Sequence, residues 1–171
     1  NKQRIFFKSH VTKNVNFRKN QLKKLLNIVK SNEKEITEAL KKDLNKSFQE
    51  AYLTEISLVK SEIKFHLKNL SEWSRIKKVA TPFYMFPSKS RLQYEPLGIS
   101  LIIAPWNYPF QLVLCPLVGA ISSGCCAVLK PSPEAPNTAL LIENMIKEAT
   151  GEFARRVTAP ASELGIPEGK E

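Results

Sequence analysis

Apolar residues recur at helical spacing from Asn16 to about Asn45: Leu22, Leu25, Leu26 and Val29, then Ile36, Ala39, Leu40 and Leu44. Ser31 and Asn32 interrupt the run, and either side chain is suited to cap a second helix. Glu33 and Glu35 would then fall in that helix's first turn, where the helix dipole favours negative charge. A further stretch carries Tyr52, Ile56, Val59, Ile63, Leu67, Leu70 and Trp73 on one face, over roughly six turns. The spacing predicts a helical hairpin within residues 1–80, with its charged side chains in solvent.

The pattern changes at Thr81. Pro82, Pro87 and Pro96 forbid a continuous helix, and Arg91-Leu92-Gln93-Tyr94 alternates as a short strand does. Residues 81–96 are therefore expected to form a hairpin or linking arm.

From Pro96 to Leu129 the chain has no charged residue. Such a run is long enough to span a membrane. Pro105, Asn107, Pro109 and Pro116 divide it, however, and a soluble β-α-β unit explains the pieces better. The expected elements are a strand over Ile99 to Ile103, a turn over Ala104 to Pro109, a helix over Phe110 to Ser122 and a strand over Cys125 to Leu129. Both strands are largely apolar, as buried parallel strands are, and Ser122-Ser123-Gly124 supplies the helix stop. Another helix is expected from about Pro136 to Ala149, with Ala139, Leu140, Ile142 and Ile146 as its apolar positions.

The fold class is thus α/β: an N-terminal helical hairpin followed by the first β-α-β of a doubly wound parallel sheet, an incomplete Rossmann-like unit over residues 97–150. Such sheets bind ligands outside the carboxyl ends of their strands. The first turn contains no G-x-G-x-x-G and the chain has no G-x-x-x-x-G-K-[ST], so a nucleotide would need a different mode of binding.

Composition narrows the function. Hydrophobic residues make up 43% and charged residues 25% of 171, as in globular proteins. The net charge of +10 could suit nucleic acid. The lysines between Lys2 and Lys89 are nevertheless interleaved with Glu33, Glu35, Glu38, Asp43, Glu50, Glu55 and Glu62, which reads as a solvated helical surface. Phe65, Trp73 and Phe83 have apolar neighbours and do not read as a base-stacking platform, so no nucleic-acid partner is expected. Cys115, Cys125 and Cys126 form no C-x-x-C motif, and adjacent cysteines rarely bridge each other, which favours a reducing, cytoplasmic compartment. Lys2, Arg4 and Lys8 break up any secretory apolar run. His10 and His66 lie far apart, and no metal site is expected.

Specific wording surrounds the β-α-β unit. Glu95-Pro96-Leu97-Gly98 leads into the first strand, Ala104-Pro105-Trp106-Asn107-Tyr108-Pro109 follows it, and Val128-Leu129-Lys130-Pro131-Ser132 ends the second. This order and spacing resemble the aldehyde dehydrogenases from about Phe17 to Ile146. The Asn-Tyr-Pro-Phe wording and the lead-in Glu72-Trp73 are most similar to the class 3 branch. The resemblance implies an oxidation of aldehydes to carboxylic acids with NAD or NADP, in which a cysteine thiolate attacks the carbonyl, hydride passes to the nicotinamide and a glutamate assists hydrolysis. It also implies a homodimer.

Carried over residue by residue, the resemblance gives Asn107 the oxyanion-stabilising amide, a contribution of about 3–4 kcal/mol in such sites. Lys130 becomes the ligand of the adenosine ribose hydroxyls. The backbone of Ile103, Ala104, Pro105 and Trp106 would line the cofactor groove, with Trp106 also packing the turn. The family commonly has a second ribose ligand, a glutamate, three residues after this lysine. Pro133 stands there, with Glu134 next, so either Glu134 substitutes through a shifted loop or the contact is lost.

The family's nucleophilic cysteine, general-base glutamate and glycine-containing helix start have no counterpart in these residues, so the chain is expected to be an N-terminal portion without activity of its own. Cys125 and Cys126 fall in a strand where the family has small structural residues, and read as buried hydrophobes. The alternative is a truncated nucleotide-binding or partner-binding module without catalysis. Residues 151–171 form an atypical tail, which could be divergent sequence, an appended scar or a frame-shifted end; only Leu164-Gly165-Ile166-Pro167-Glu168-Gly169 is similar to the family.

Overall fold

The computed structural model describes residues 2–151 and 153–156. The expected helical region resolves into α1 (Lys2–Lys8), a 3-10 turn at Val11–Lys13, α2 (Val15–Ser31), α3 (Glu33–Leu44), α4 (Phe48–Ala51), a π turn (Tyr52–Ile56) and α5 (Ser57–Trp73). The break between α2 and α3 falls where Ser31 and Asn32 predict it. Neither side chain caps α3, though: Ser31 Oγ and Asn32 Nδ2 both donate to Ile28 O, closing the end of α2 instead.

The antiparallel hairpin opens at Lys77, with β1 (Lys77–Val79) pairing β2 (Ser90–Leu92). Phe83, expected among apolar neighbours, stands 93% exposed at its tip, and Tyr84 and Phe86 are exposed beside it. Phe65 is also exposed, edge-on to Trp73 at 5.5 Å.

The α/β unit forms as β3 (Ile99–Ile103), α6 (Gln111–Ser123) and β4 (Cys126–Lys130), followed by α7 (Pro136–Thr150) and β5 (Ala154–Arg156). The three strands are parallel in the order β3-β4-β5. The beginning of the atypical tail thus joins the sheet: Phe153 is wholly buried and its carbonyl accepts the N–H of Ala127 at 3.0 Å. The 164–169 wording lies outside the described residues. No described helix is long and apolar enough to cross a membrane.

One expectation about the sheet needs correcting. β4 is buried, but β3 exposes Ile99, Leu101 and Ile103 while Ile102 packs inward. The alternation arises because α6 covers one face of β3. Above that face α2 packs against α6 and α7, α5 against α6, and α3 against α7. Leu22, Leu25, Ile36, Ile56 and Ile63 therefore share one core with Leu114, Leu117 and Ile121.

The charges of the helical region are not all outside. Arg18, Lys46 and Glu55 are buried. Arg18 occupies the apolar stripe of α2, one turn before Leu22, and its guanidinium donates to Thr12 O, Lys13 O and Ser122 O at 2.7, 2.6 and 3.0 Å. The last contact places a cation on a carbonyl at the C-terminal end of α6, where the helix dipole favours it. Desolvation drives the pKa of Arg18 down, while Cys125 and Glu95 oppose the shift.

Candidate functional site

The carboxyl ends of β3 and β4 bring two of the candidate segments together. Ile103 pairs with Lys130, and the N–H of Ala104 donates to Lys130 O at 3.2 Å. Lys130 is half-buried, and its ammonium has no hydrogen-bond or ion-pair partner among the described residues. Ala104 is buried, whereas Pro105, Trp106 and Asn107 are exposed. Trp106 is 55% exposed, so it does not pack the turn as expected. The ring held in the turn is that of Tyr108, 4.1 Å below Lys46 Nζ.

The side-chain amide of Asn107 makes no hydrogen bond among the described residues, although its backbone is held: Lys46 Nζ donates to Asn107 O at 2.9 Å. The same ammonium lies 2.6 Å from Glu55 Oε1. The second oxygen, Glu55 Oε2, accepts the N–H groups of Phe110 and Gln111 at 2.8 and 3.1 Å. One buried ion pair thus grips the turn on both sides, by a carbonyl before Tyr108-Pro109 and by two amides after it.

These residues are absent from the sequence-based site. Glu55 did carry a signal. It lies four and eight residues before Val59 and Ile63, on the buried face of the helix, where a carboxylate requires partners. Lys46 follows α3 in a connection, where no periodicity distinguishes a buried lysine from a solvated one.

Glu134 is exposed in the turn between β4 and α7, with its N–H donating to Ser132 Oγ at 3.2 Å. It makes no hydrogen bond or ion pair with Lys130. The start of α7 is closed from elsewhere: Asp43 Oδ2 accepts the N–H of Thr138 at 2.7 Å, and Asp43 Oδ1 accepts the backbone and side-chain N–H of Asn137 at 3.1 and 2.7 Å. Partial burial would raise the Asp43 pKa, but these bonds outweigh it and hold the carboxyl below its ordinary value.

Helix N-termini at this end of a doubly wound sheet are the ordinary sites for phosphate. Here the leading N–H groups of α6 and α7 already bond Glu55 and Asp43. A pyrophosphate at either helix would meet a carboxylate already bonded to the leading N–H groups. The absence of a glycine fingerprint thus has a structural counterpart. Among the polar groups without a partner at the strand ends are a lysine ammonium and a carboxamide, both suited to neutral oxygen acceptors such as ribose hydroxyls or a carbonyl.

Cys115 and Cys126 are unsuited to nucleophilic work. All three are free thiols, and burial pushes Cys115 and Cys126 up to about 11. A cavity of about 840 Å³ opens at the opposite, amino ends of the strands, lined by Arg18, His66, Trp73, Ser100, Ser122 and Cys125 among others. No candidate site residue lines it, and His66 there bonds Ser122 Oγ at 2.6 Å and Glu62 at 3.1 Å.

Residues 6–162 match the model of the aldehyde dehydrogenase family. The 4,4'-diaponeurosporen-aldehyde dehydrogenase of Staphylococcus aureus is 50% identical over 145 residues, which cover 85% of this chain and 32% of that protein. An aldehyde dehydrogenase family 3 member (H1) of Arabidopsis thaliana is 40% identical over 155 residues, or 91% and 32% of the two chains. Among solved structures, a substrate-bound Staphylococcus aureus AldH superposes with a TM-score of 0.90 at 45% identity, over 95% of this chain and 36% of that one. The succinic semialdehyde dehydrogenase of Streptococcus pyogenes, solved with NADP+, shares the fold at a TM-score of 0.82 and 20% identity, over 95% and 35%. The chain spans about a third of the length of the curated relatives it matches.

Proposed function

The chain belongs to the aldehyde dehydrogenase family, and from that membership we propose that it forms part of an NAD(P)-dependent enzyme that oxidises aldehydes to carboxylic acids. The observation that carries the reading is the pair of unengaged polar groups, Asn107 and Lys130, presented where parallel strands end. Bound NAD or NADP supplies the hydride acceptor. Lys130 holds the adenosine ribose by donating to its hydroxyls, and the backbone of Ile103, Ala104, Pro105 and Trp106 walls the groove. Glu134, exposed one position beyond Pro133, serves as a second ribose ligand if its turn shifts.

Asn107 acts on the aldehyde. Its amide N–H meets the carbonyl oxygen as charge builds on it, and because the peptide is already held by Lys46 little reorganisation accompanies the reaction. The nucleophile and general base are assigned to sequence outside these residues. A homodimer and a cytoplasmic location complete the reading. The three free thiols fit a reducing compartment, and the exposed aromatic tip of the hairpin offers apolar surface for an interface.

The test compares the 171-residue chain with the protein at its full encoded length, by following aldehyde-dependent reduction of NAD and of NADP. Activity is expected at full length and none in the shorter chain. Nucleotide binding at full length without aldehyde oxidation would instead support a binding module without catalysis.

A further inference from the structure

We propose that Lys46 and Glu55 are positioning residues for the reaction: their buried ion pair sets the peptide from which the Asn107 amide is presented. The inference rests on the reading of Asn107 as the oxyanion donor. Four contacts made by two side chains support it. Lys46 Nζ bonds Asn107 O at 2.9 Å and Glu55 Oε1 at 2.6 Å, while Glu55 Oε2 bonds the N–H groups of Phe110 and Gln111 at 2.8 and 3.1 Å. Tyr108 and Pro109 are the only residues between the two gripped segments, and Lys46 Nζ also sits over the Tyr108 ring.

The arrangement differs from that of an ordinary helix cap. A cap needs only a side-chain acceptor, which a local Asp or Ser ordinarily supplies. Here the acceptor comes from the π turn at Tyr52–Ile56, is wholly buried, and is joined to a buried lysine whose remaining bond reaches the peptide of Asn107. A π turn shifts the register of the following helix, and such turns concentrate at functional sites. The ammonium itself is buried. Asn107 O takes one of its hydrogen bonds, Glu55 takes another, and the ring of Tyr108 covers it, so Lys46 acts on the substrate only through Asn107. An oxyanion donor must sit within about an ångström of its productive place, since such a displacement can cost about 10²-fold in rate.

The test is a double-mutant cycle in the protein at its full encoded length, read as the single-turnover rate of aldehyde oxidation together with KM for aldehyde and cofactor. Asn107→Ala is expected to slow the chemical step by about 10²-fold or more. Lys46→Met is expected to slow it by at least about tenfold with KM for the cofactor unchanged. Combined with Asn107→Ala it should add nothing, because its target is already gone.

Lys46→Met strands a buried carboxylate and risks misfolding, so the cycle is repeated on Lys46→Met/Glu55→Gln. In that variant a neutral amide oxygen still accepts from Phe110 and Gln111. Lys46→Arg should recover part of the rate, because it restores a cationic donor.

Multiplicative effects of Lys46 and Asn107, or a wild-type rate in folded Lys46→Met/Glu55→Gln, would overturn the positioning role while leaving the oxyanion role standing. A wild-type rate in Asn107→Ala would overturn the oxyanion role itself, and the positioning role with it.

Discussion

The Asp43 carboxylate accepts the backbone N–H of Thr138 at 2.7 Å, so the last turn of α3 closes the first turn of α7. With Glu55 on α6, the helical layer thus supplies an acidic cap to each crossover helix of the sheet. Asp43→Ala is expected to lower unfolding stability by about 1 kcal/mol. Because the folded pKa of Asp43 is lowered, this contribution is complete above the unfolded value near about 4 and fades as pH falls through the folded one. Denaturant titrations of wild type and variant should converge below about pH 4. A gap that stays constant from neutral pH to acid contradicts the assignment.

The buried pair behind the Asn107 turn has a stability signature as well. Glu55→Ala leaves Lys46 buried without its carboxylate and removes the acceptor for two N–H groups, which should cost roughly 3–5 kcal/mol. Glu55→Gln should lose clearly less, since an oxygen still faces Phe110 and Gln111. Urea midpoints check the order, and equal losses in the two variants would be inconsistent with the capping geometry.

Much of this fold is legible in the chain, for identifiable reasons. The run from Leu22 to Leu44 shows its period because it buries one face, and the strands around Ile102 and Leu129 are legible as short apolar runs bounded by turn residues. Asn107 and Lys130 are legible by resemblance, through wording that surrounds each of them. Lys46 and Arg18 belong to the charges that the sequence pattern assigns to solvent. Lys46 is held by Glu55 and by Asn107 O, the latter 61 residues away, and no local pattern reports that pairing. Arg18 stands in the apolar stripe of α2, a local signal, but its contact with Ser122 O lies 104 residues away. Glu55 lay on the apolar stripe of its helix, and a carboxylate in that register is the signal that the periodicity offered. The open face of β3 follows from which face α6 covers, and apolar composition alone is silent on that.

Gly124 ends α6 with φ +83°, and a Cβ there would lie 2.8 Å from Thr12 O and 3.1 Å from Arg18 Nε. Gly124→Ala should cost about 1–2 kcal/mol from the backbone conformation alone, and more if Arg18 is displaced. Thermal melting of the variant checks this, and an unchanged midpoint contradicts the packing described.

The thiols give a prediction in the alkaline range. Burial raises Cys115 and Cys126 to about 11, so the folded protein keeps their protons where the unfolded chain, near about 8.5, releases them. Their contribution to stability is complete below the unfolded value and declines as pH rises toward the folded one. Cys126→Ala should therefore flatten the loss of stability between about pH 8.5 and 11. Neither thiol should react with a disulfide reagent at pH 7 until the protein is unfolded. Rapid labelling of the native protein at Cys126 would show its environment to be different.

The most direct measurement sets Asn107→Ala beside Lys130→Ala at full encoded length, with kcat and the KM for cofactor determined for each. Asn107→Ala should lower kcat by about 10²–10³-fold and leave the cofactor KM near wild type, because its amide acts on charge formed during reaction. Lys130→Ala should raise the cofactor KM with a much smaller change in kcat, because the ribose is gripped equally before and during the reaction. Wild-type constants in both variants would contradict the placement of the oxyanion donor and the ribose ligand at the ends of β3 and β4.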